Sequence, residues 1–321
     1  MSDLPRIMVG GPVRDREWSV PLWLGGLLAS DYPRHLVTVA VLINDSRDGT
    51  EAACRWWGQR AADEGFGRVV IQRVDFGCAV DNNVRRERDY RQFARVRDAW
   101  VALRREEELL FPVDSDIQVP RRMLPRLVEL ARRDRVSLLA GIIHNNVGTA
   151  LHFSNVLRLM PELCADPPPT VRDRLACLLP RGRAARLRSK RGRADLDANP
   201  GLRYVHILDS IEDRESGAVR PCDWTGACLL IHRRVFDAGL RYDLPGVEES
   251  GEDLPFMDAC AAAGFRPHYT PDPLCRATHY MAPPVEFTYL ADRDHHLRLA
   301  AYHADHARRL EAARRETIHA A

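Results

Sequence analysis

The distribution of apolar and polar positions divides the first half of this chain into alternating short apolar runs and longer mixed segments. Arg6 to Val9 reads as a short strand that breaks at Gly10-Gly11-Pro12, where glycine lets backbone approach a ligand closely. From Arg16 to Ala29, Trp18, Leu22, Leu27 and Leu28 recur at helical spacing, and Asp31-Tyr32-Pro33 ends that helix. Leu36 to Ile43 is dense in Val, Leu and Ile, as a parallel strand buried on both faces should be. The polar turn Asn44 to Thr50 follows and feeds a helix to Glu64; Arg68 to Val74 is a third strand. A helix over Glu87 to Arg105 carries Tyr90, Phe93, Trp100 and Val101 on its apolar side. The run Leu109-Leu110-Phe111-Pro112-Val113 then ends abruptly in Asp114-Ser115-Asp116. A helix from about Pro120 to Arg133 and an apolar strand over Val136 to Ile143 complete the alternation. Strand, helix and strand in turn predict an α/β fold, a mostly parallel sheet with right-handed crossovers.

In such a sheet the turns after Val9, Ile43 and Val113 fall on one rim, where open α/β sheets bind ligands. Two carboxylates one residue apart at a strand end repel each other unless a cation lies between them. The hard divalent cations Mg²⁺ and Mn²⁺ take oxygen ligands and complete their shells with substrate phosphates. A plain structural role also fits, with Asp116 capping the helix that starts near Pro120.

From His144 to about Arg220 the periodicity is lost. Asp166-Pro167-Pro168-Pro169 fits neither a helix nor a central strand, and residues 181–193 form a dense arginine run. The segment reads as a long insertion or lid, partly mobile. Its basic run, Arg181 to Arg193, fits phosphate clamping, weak contact with an acidic membrane surface, or a solvated face. Apolar structure returns at Cys228 to Ile231, after Trp224-Thr225-Gly226-Ala227. Glu252-Asp253 opens a helix ending at Gly264, His279 follows a short strand over His268 to Thr270, and Glu286 onward reads as a charged helix. Glu252 and Asp253 fit ordinary N-terminal helix acids as well as chemistry.

The 321 residues are 45% hydrophobic and 29% charged, enough for one large α/β domain or two fused halves. A net charge of +2 argues against a nucleic-acid partner. Lys190 is the only lysine, so arginine supplies nearly all the positive charge. Eight cysteines without a CxxC pair point to buried free thiols and a cytoplasmic setting, as does a start without a charged-then-apolar leader. No apolar run reaches the roughly 18–20 residues that span a bilayer.

Taken in order, the Gly-Pro turn, Asn44 to Thr50, an arginine-bearing helix, Asp114-Ser115-Asp116, Trp224 to Ala227, Gly251-Glu252-Asp253 and a late histidine resemble the GT-A glycosyltransferases. The likeness is to family 2 and to the fungal mannan-polymerase (Anp1-like) type, over roughly residues 6–280. That resemblance implies a Rossmann-like sheet with helices on both faces, fused to a smaller acceptor-binding half. It divides the chain into a nucleotide-sugar-binding half (1–145), an insertion (146–220) and an acceptor-binding half with a C-terminal helix (221–321). It implies that Asp45 reads the base, with Pro12 beside it and Arg91 or Arg95 by the base and phosphates. Asp114 and Asp116, with His279, would hold Mn²⁺ or Mg²⁺; Ser115, Trp224 and Gly226 would line the nucleotide sugar. Asp253, with Glu252 beside it, would activate an acceptor hydroxyl in an inverting transfer from a nucleoside-diphosphate sugar to a small molecule, glycan or glycolipid. A retaining transferase, a nucleotidyltransferase and an inactive nucleotide-sugar-binding module are the alternative readings.

Overall fold

The computed structural model describes residues 4–77, 89–144, 153–159, 202–206, 217–247 and 251–280. In chain order its elements are β1 (Ile7–Val13), α1 (Val20–Leu28), β2 (Val37–Asn44), α2 (Thr50–Asp63), β3 (Arg68–Val74), α3 (Tyr90–Val101), β4 (Leu109–Pro112) and β5 (Ile117–Gln118). There follow α4 (Met123–Asp134), β6 (Leu138–Ala140), β7 (Ile142–His144), β8 (Phe153–Leu159), β9 (Leu202–His206), β10 (Arg220–Pro221), β11 (Trp224–Thr225) and β12 (Leu229–His232). Last come α5 (Arg234–Asp237), α6 (Asp253–Ala262), β13 (His268–Tyr269) and β14 (Arg276–His279).

The main sheet has eight strands in the order β10-β13-β6-β12-β4-β1-β2-β3. β3, β2, β1 and β4 are mutually parallel, and β6 and β13 run the same way; only β12 and β10 are reversed. The expected mostly parallel α/β sheet is therefore present. Its two faces can be read from the alternation within single strands. Ile7, Val9, Val39, Val41 and Ile43 pack with Trp23, Leu24 and Leu127, so α1, α2 and α4 cover one face. Met8, Ala40 and Leu42 pack with Trp100, Phe236 and Phe256, so α3, α5 and α6 cover the other.

Two buried indoles tie helices to the strands that carry the rim. Trp23 Nε1 of α1 donates to the Val113 carbonyl at 3.1 Å, and Trp100 Nε1 of α3 donates to Ala40 at 2.8 Å. Each ring buries a large apolar area, worth about 1.5–3 kcal/mol for side chains of this size, while its polar N–H stays satisfied.

The expected break at Gly10-Gly11-Pro12 is not there. β1 runs on to Val13, in register with β2 over its whole length. Gly10 is required for close packing, since a β-carbon there would lie 2.1 Å from the Ala40 carbonyl oxygen and φ is +128°. The Gly10 carbonyl accepts from Val113 N, so Pro12, two residues on, presents its ring nitrogen to the same side. β4 ends there, its last pair being Gly10 with Pro112, and the bond that Pro12 cannot give to the Val113 carbonyl is supplied by Trp23 Nε1. The single strand expected over Val136 to Ile143 is split at Gly141 into β6 and β7, which join different sheets. A β-carbon at Gly141 would meet Met123 Cε at 2.1 Å and the Cys275 carbonyl oxygen at 2.5 Å.

Two smaller sheets flank the rim, β11-β8-β9 and β5-β14-β7. β8 and β9 fall in the segment expected to be an insertion, and they pair antiparallel. The basic run 181–193 and the helix expected after Glu286 lie outside the described residues. Cys54, Cys222, Cys228, Cys260 and Cys275 are free and buried, as expected. Among the described residues no helix is long and apolar enough to cross a membrane.

Candidate active site

The C-terminal ends of β1, β2 and β4 and the N-terminal end of the reversed strand β12 meet on one rim. The loops after β1 and β2 are laced together there. Asp15 N donates to Ser46 Oγ (3.1 Å), Arg16 N to Thr50 Oγ1 (2.7 Å), Arg47 N to Asp15 Oδ1 (2.8 Å) and Gly49 N to Glu17 Oε2 (3.0 Å). These bonds satisfy backbone donors that no strand or helix reaches, and they make the two loops one unit. Asp45 has a left-handed backbone, φ 49°, and its Oδ1 accepts from Gly77 N at 2.9 Å.

The loop after β4 carries the acid pair. Ser19 Oγ of the α1 N-terminus donates to the Ser115 carbonyl at 2.7 Å, and Tyr280 N donates to the Asp116 carbonyl at 2.8 Å. β14 lies antiparallel to β5, pairing His279 with Ile117, and this register delivers the imidazole to the neighbouring acid. His279 Nε2 lies 3.6 Å from Asp116 Oδ2, and Arg16 Nη2 lies 3.6 Å from the same oxygen. Burial alone would raise the Asp116 carboxyl, but His279 and Arg16 outweigh it and hold the group well below its ordinary value. Burial opposes the charge on His279, and Asp116 more than compensates, so the imidazole binds its proton more tightly than usual.

The third acid centre is assembled by Arg97, on the buried face of α3. Its Nη2 donates to Asp114 Oδ1 at 3.0 Å, its Nε donates to Glu252 Oε1 at 2.8 Å, and the guanidinium carbon sits 5.7 Å from the Tyr242 ring centroid. Tyr242 in turn stacks on Phe256 of α6 at 4.1 Å. Arg97 thus ties the helix before β4, the first acid after it, and the start of α6. Asp253, the first residue of α6, packs its carboxylate onto backbone, since a β-carbon at Gly226 would lie 2.1 Å from Asp253 Oδ2. Burial pushes the Asp253 carboxyl up to about 8; Glu252 adds to this, Arg97 opposes it and Asp114 adds to it.

Asp114, Ser115, Asp116, His279, Glu252, Asp253 and Gly226 are therefore joined by contact or by direct neighbours. Trp224 is partly exposed on β11, and its Nε1 donates to Asp258 Oδ1 of α6 at 2.7 Å. Pro12 lies within β1. Arg91 and Arg95 both point to Asp243, at 3.3 and 3.4 Å. The arginine of this helix that reaches the acids is Arg97, which the sequence reading did not single out. Arg16, four residues before α1, is likewise outside the expected site residues.

The donor set suits a hard divalent cation. Asp116 and His279 place an oxygen and a nitrogen side by side, a cation there would have to displace the proton that His279 holds against Asp116, and Asp114 keeps a second carboxylate oxygen besides the one on Arg97. Among the described residues no three acidic, histidine or cysteine side chains are gathered tightly enough to hold an ion unaided. A cation held there would need its remaining ligands from a phosphate-bearing molecule or water.

No family model and no curated protein matches the sequence. Among solved structures, the fold is similar to that of the mannosyltransferase PcManGT from Pyrobaculum calidifontis in complex with GDP-Man and Mn²⁺. The identity is 16%, the TM-score is 0.49, and the match covers 92% of this chain and 63% of that one. It is also similar to S. aureus TarS 1-349 in complex with UDP, at 12% identity and TM-score 0.46, over 86% of this chain and 61% of that one. The chain spans less than two thirds of the length of either.

Proposed function

We propose that this protein is a glycosyltransferase that moves a sugar from a nucleoside-diphosphate sugar to an acceptor hydroxyl, with inversion at the anomeric carbon and with Mn²⁺ or Mg²⁺. The observation that carries the reading is the convergence, through Arg97, of Asp114 after β4 and the Glu252-Asp253 start of α6 on one rim, with His279 against Asp116.

Each residue has a task in this chemistry. Asp116 and His279, with Asp114, would hold the divalent cation, which would supply neutralisation of the charge on the departing diphosphate. Arg16, beside Asp116, adds a fixed positive charge near that leaving group. Asp253 takes the proton of the acceptor hydroxyl as its oxygen attacks the anomeric carbon, and the sugar–phosphate bond breaks with its electron pair leaving on the diphosphate. A carboxyl held near 8 suits that role, because a general base works best when its own value lies close to the operating pH. Glu252 is committed to Arg97 and so supports the base rather than acting as one. Asp45, in the laced loops, and Pro12, in β1, would serve the base of the nucleotide, and Arg91 or Arg95, which meet Asp243 in this structure, would serve its base and phosphates. Ser115, Gly226 and Trp224 line the sugar and acceptor.

Incubation with a panel of nucleotide sugars and Mn²⁺, with product identification, tests the reading. Release of a nucleoside diphosphate is expected. Release of pyrophosphate would mean nucleotidyl transfer, and binding without release would mean an inactive module; either would overturn it.

A further inference from the structure

We propose that Asn155 is a positioning residue for this transfer: its side-chain amide clamps the Gly226–Ala227 turn, and through that turn fixes where the Asp253 carboxylate stands relative to Asp114. The inference rests on the glycosyltransferase reading for its consequence in turnover, but its geometric basis is independent of that reading.

The turn is unusual in itself. Ala227 has φ 64°, and Cys228 N donates to the Gly226 carbonyl at 2.8 Å, closing a turn over a single non-glycine residue in the left-handed region. Such a backbone state persists only where its surroundings over-determine it. Here three contacts do so. The Ala227 carbonyl accepts from Asp114 N at 2.9 Å, the Gly226 α-carbon carries the Asp253 carboxylate directly against it, and the Gly226 carbonyl accepts from Asn155 Nδ2 at 3.0 Å. The same two residues thus touch the backbone of a cation-holding acid and the side chain of the base.

Asn155 is built for the clamp. From β8 its Oδ1 accepts from Ile143 N at 2.8 Å, while Nδ2 faces Gly141 O at 3.2 Å, Thr225 Oγ1 at 3.3 Å and Gly226 O at 3.0 Å. One short side chain must accept on one arm and donate on the other, which only an amide does at this length. It fastens the middle of β7, the Gly141 link between β6 and β7, and the β11–β12 turn at a single point. An aspartate would turn carboxylate lone pairs toward two carbonyl oxygens, and an alanine would leave those acceptors without their donor.

The test uses the full chain with Asn155→Asp and Asn155→Ala. Turnover with the nucleotide sugar that serves the wild type is expected to fall about 10–100-fold, the scale of a misplacement near 1 Å. Affinity for UDP or GDP with Mn²⁺, by calorimetry, is expected to stay within about twofold. A second readout needs no activity. Wild-type stability relative to Asp253→Asn should decline as pH rises toward 8, because the buried carboxyl, faced by Glu252, Arg97, Asp114 and Tyr242, favours its proton when folded. With Asn155→Ala the backbone at Gly226 loosens and water reaches the carboxyl, so the slope of melting temperature against pH, taken against Asn155→Ala with Asp253→Asn, should fall to half or less. Wild-type turnover in both variants, or an unchanged slope whatever the turnover, would overturn the proposal. Absence of turnover in the wild type would refute the transferase reading instead, and the slope would still decide the clamp.

Discussion

Replacing Arg97 by methionine keeps most of the side-chain volume and removes the one charge that joins Asp114 to Glu252. The wild-type side chains are 9% exposed for Arg97 and 10% for Glu252, so that arm is a buried, charge-assisted bond at 2.8 Å. Asp114 is 36% exposed, and solvent screening makes its arm the smaller contribution. Breaking a buried pair by removing one partner costs about 3–5 kcal/mol, mostly because the other charge is left uncompensated. For a chain of this size that is roughly 5–15 °C in melting temperature. The loss should depend on pH in a fixed direction. Without the guanidinium, the folded state relieves the stranded carboxylates by keeping protons that the unfolded state gives up, so stability drains away as pH rises through that range. Scanning calorimetry at pH 5, 6, 7 and 8 should therefore find a narrow gap between wild type and Arg97→Met at pH 5 and a wide one at pH 8. Adding Glu252→Gln should recover part of the loss. A gap that is the same at every pH, or one smaller than about 1 kcal/mol, would refute the view that Arg97 is the counter-ion of this acid cluster.

Three further outcomes follow from the same geometry. Asp253→Asn keeps the shape and removes the basicity, so turnover should fall by about 10²–10⁴ while nucleoside-diphosphate affinity hardly changes; retained turnover would pass the base role elsewhere. In the wild type, kcat/KM should climb about tenfold per pH unit and level off near 8, as the Asp253 proton is lost; a plateau already reached at pH 5 would contradict the burial of that carboxyl. Gly10→Ala drives a β-carbon to 2.1 Å from the Ala40 carbonyl oxygen at φ +128°, so it should cost more than about 3 kcal/mol in denaturant unfolding or abolish soluble protein; near-normal stability would mean that β1 and β2 are not in this register.

The parallel sheet and the acid pair were legible because both are written locally. The run from Leu109 to Val113 is apolar on both faces and stops at two acids, and a buried strand ending at a rim has little other way to look. The start of α6 was readable for the same reason, with Gly251 turning the chain in at φ 85° just before two acids. Arg97 was not legible, because arginine is everywhere in this sequence and most of it is solvated. The available signal was positional: Ala94, Arg97, Trp100 and Val101 share the buried face of α3, and a lone cation on such a face needs a buried partner. Gly10-Gly11-Pro12 misled because composition marks a turn, whereas the strand uses glycine for close approach and places its proline where β4 has ended. β8 and β9 were hidden because they lie where the apolar periodicity is lost, and the partner that fixes each strand is distant in sequence, so only the pairing defines them.

The claim on which the rest depends is that the Asp114–Asp116 rim holds a nucleoside diphosphate through a divalent cation. A calorimetric titration of UDP and of GDP, in Mn²⁺ and again in EDTA, with wild type and Asp116→Asn, addresses it directly. At least one nucleotide is expected to bind the wild type in Mn²⁺, with an affinity that falls at least tenfold both in EDTA and in the variant. Equal affinity with and without the cation, or an Asp116→Asn protein that binds as the wild type does, would contradict it.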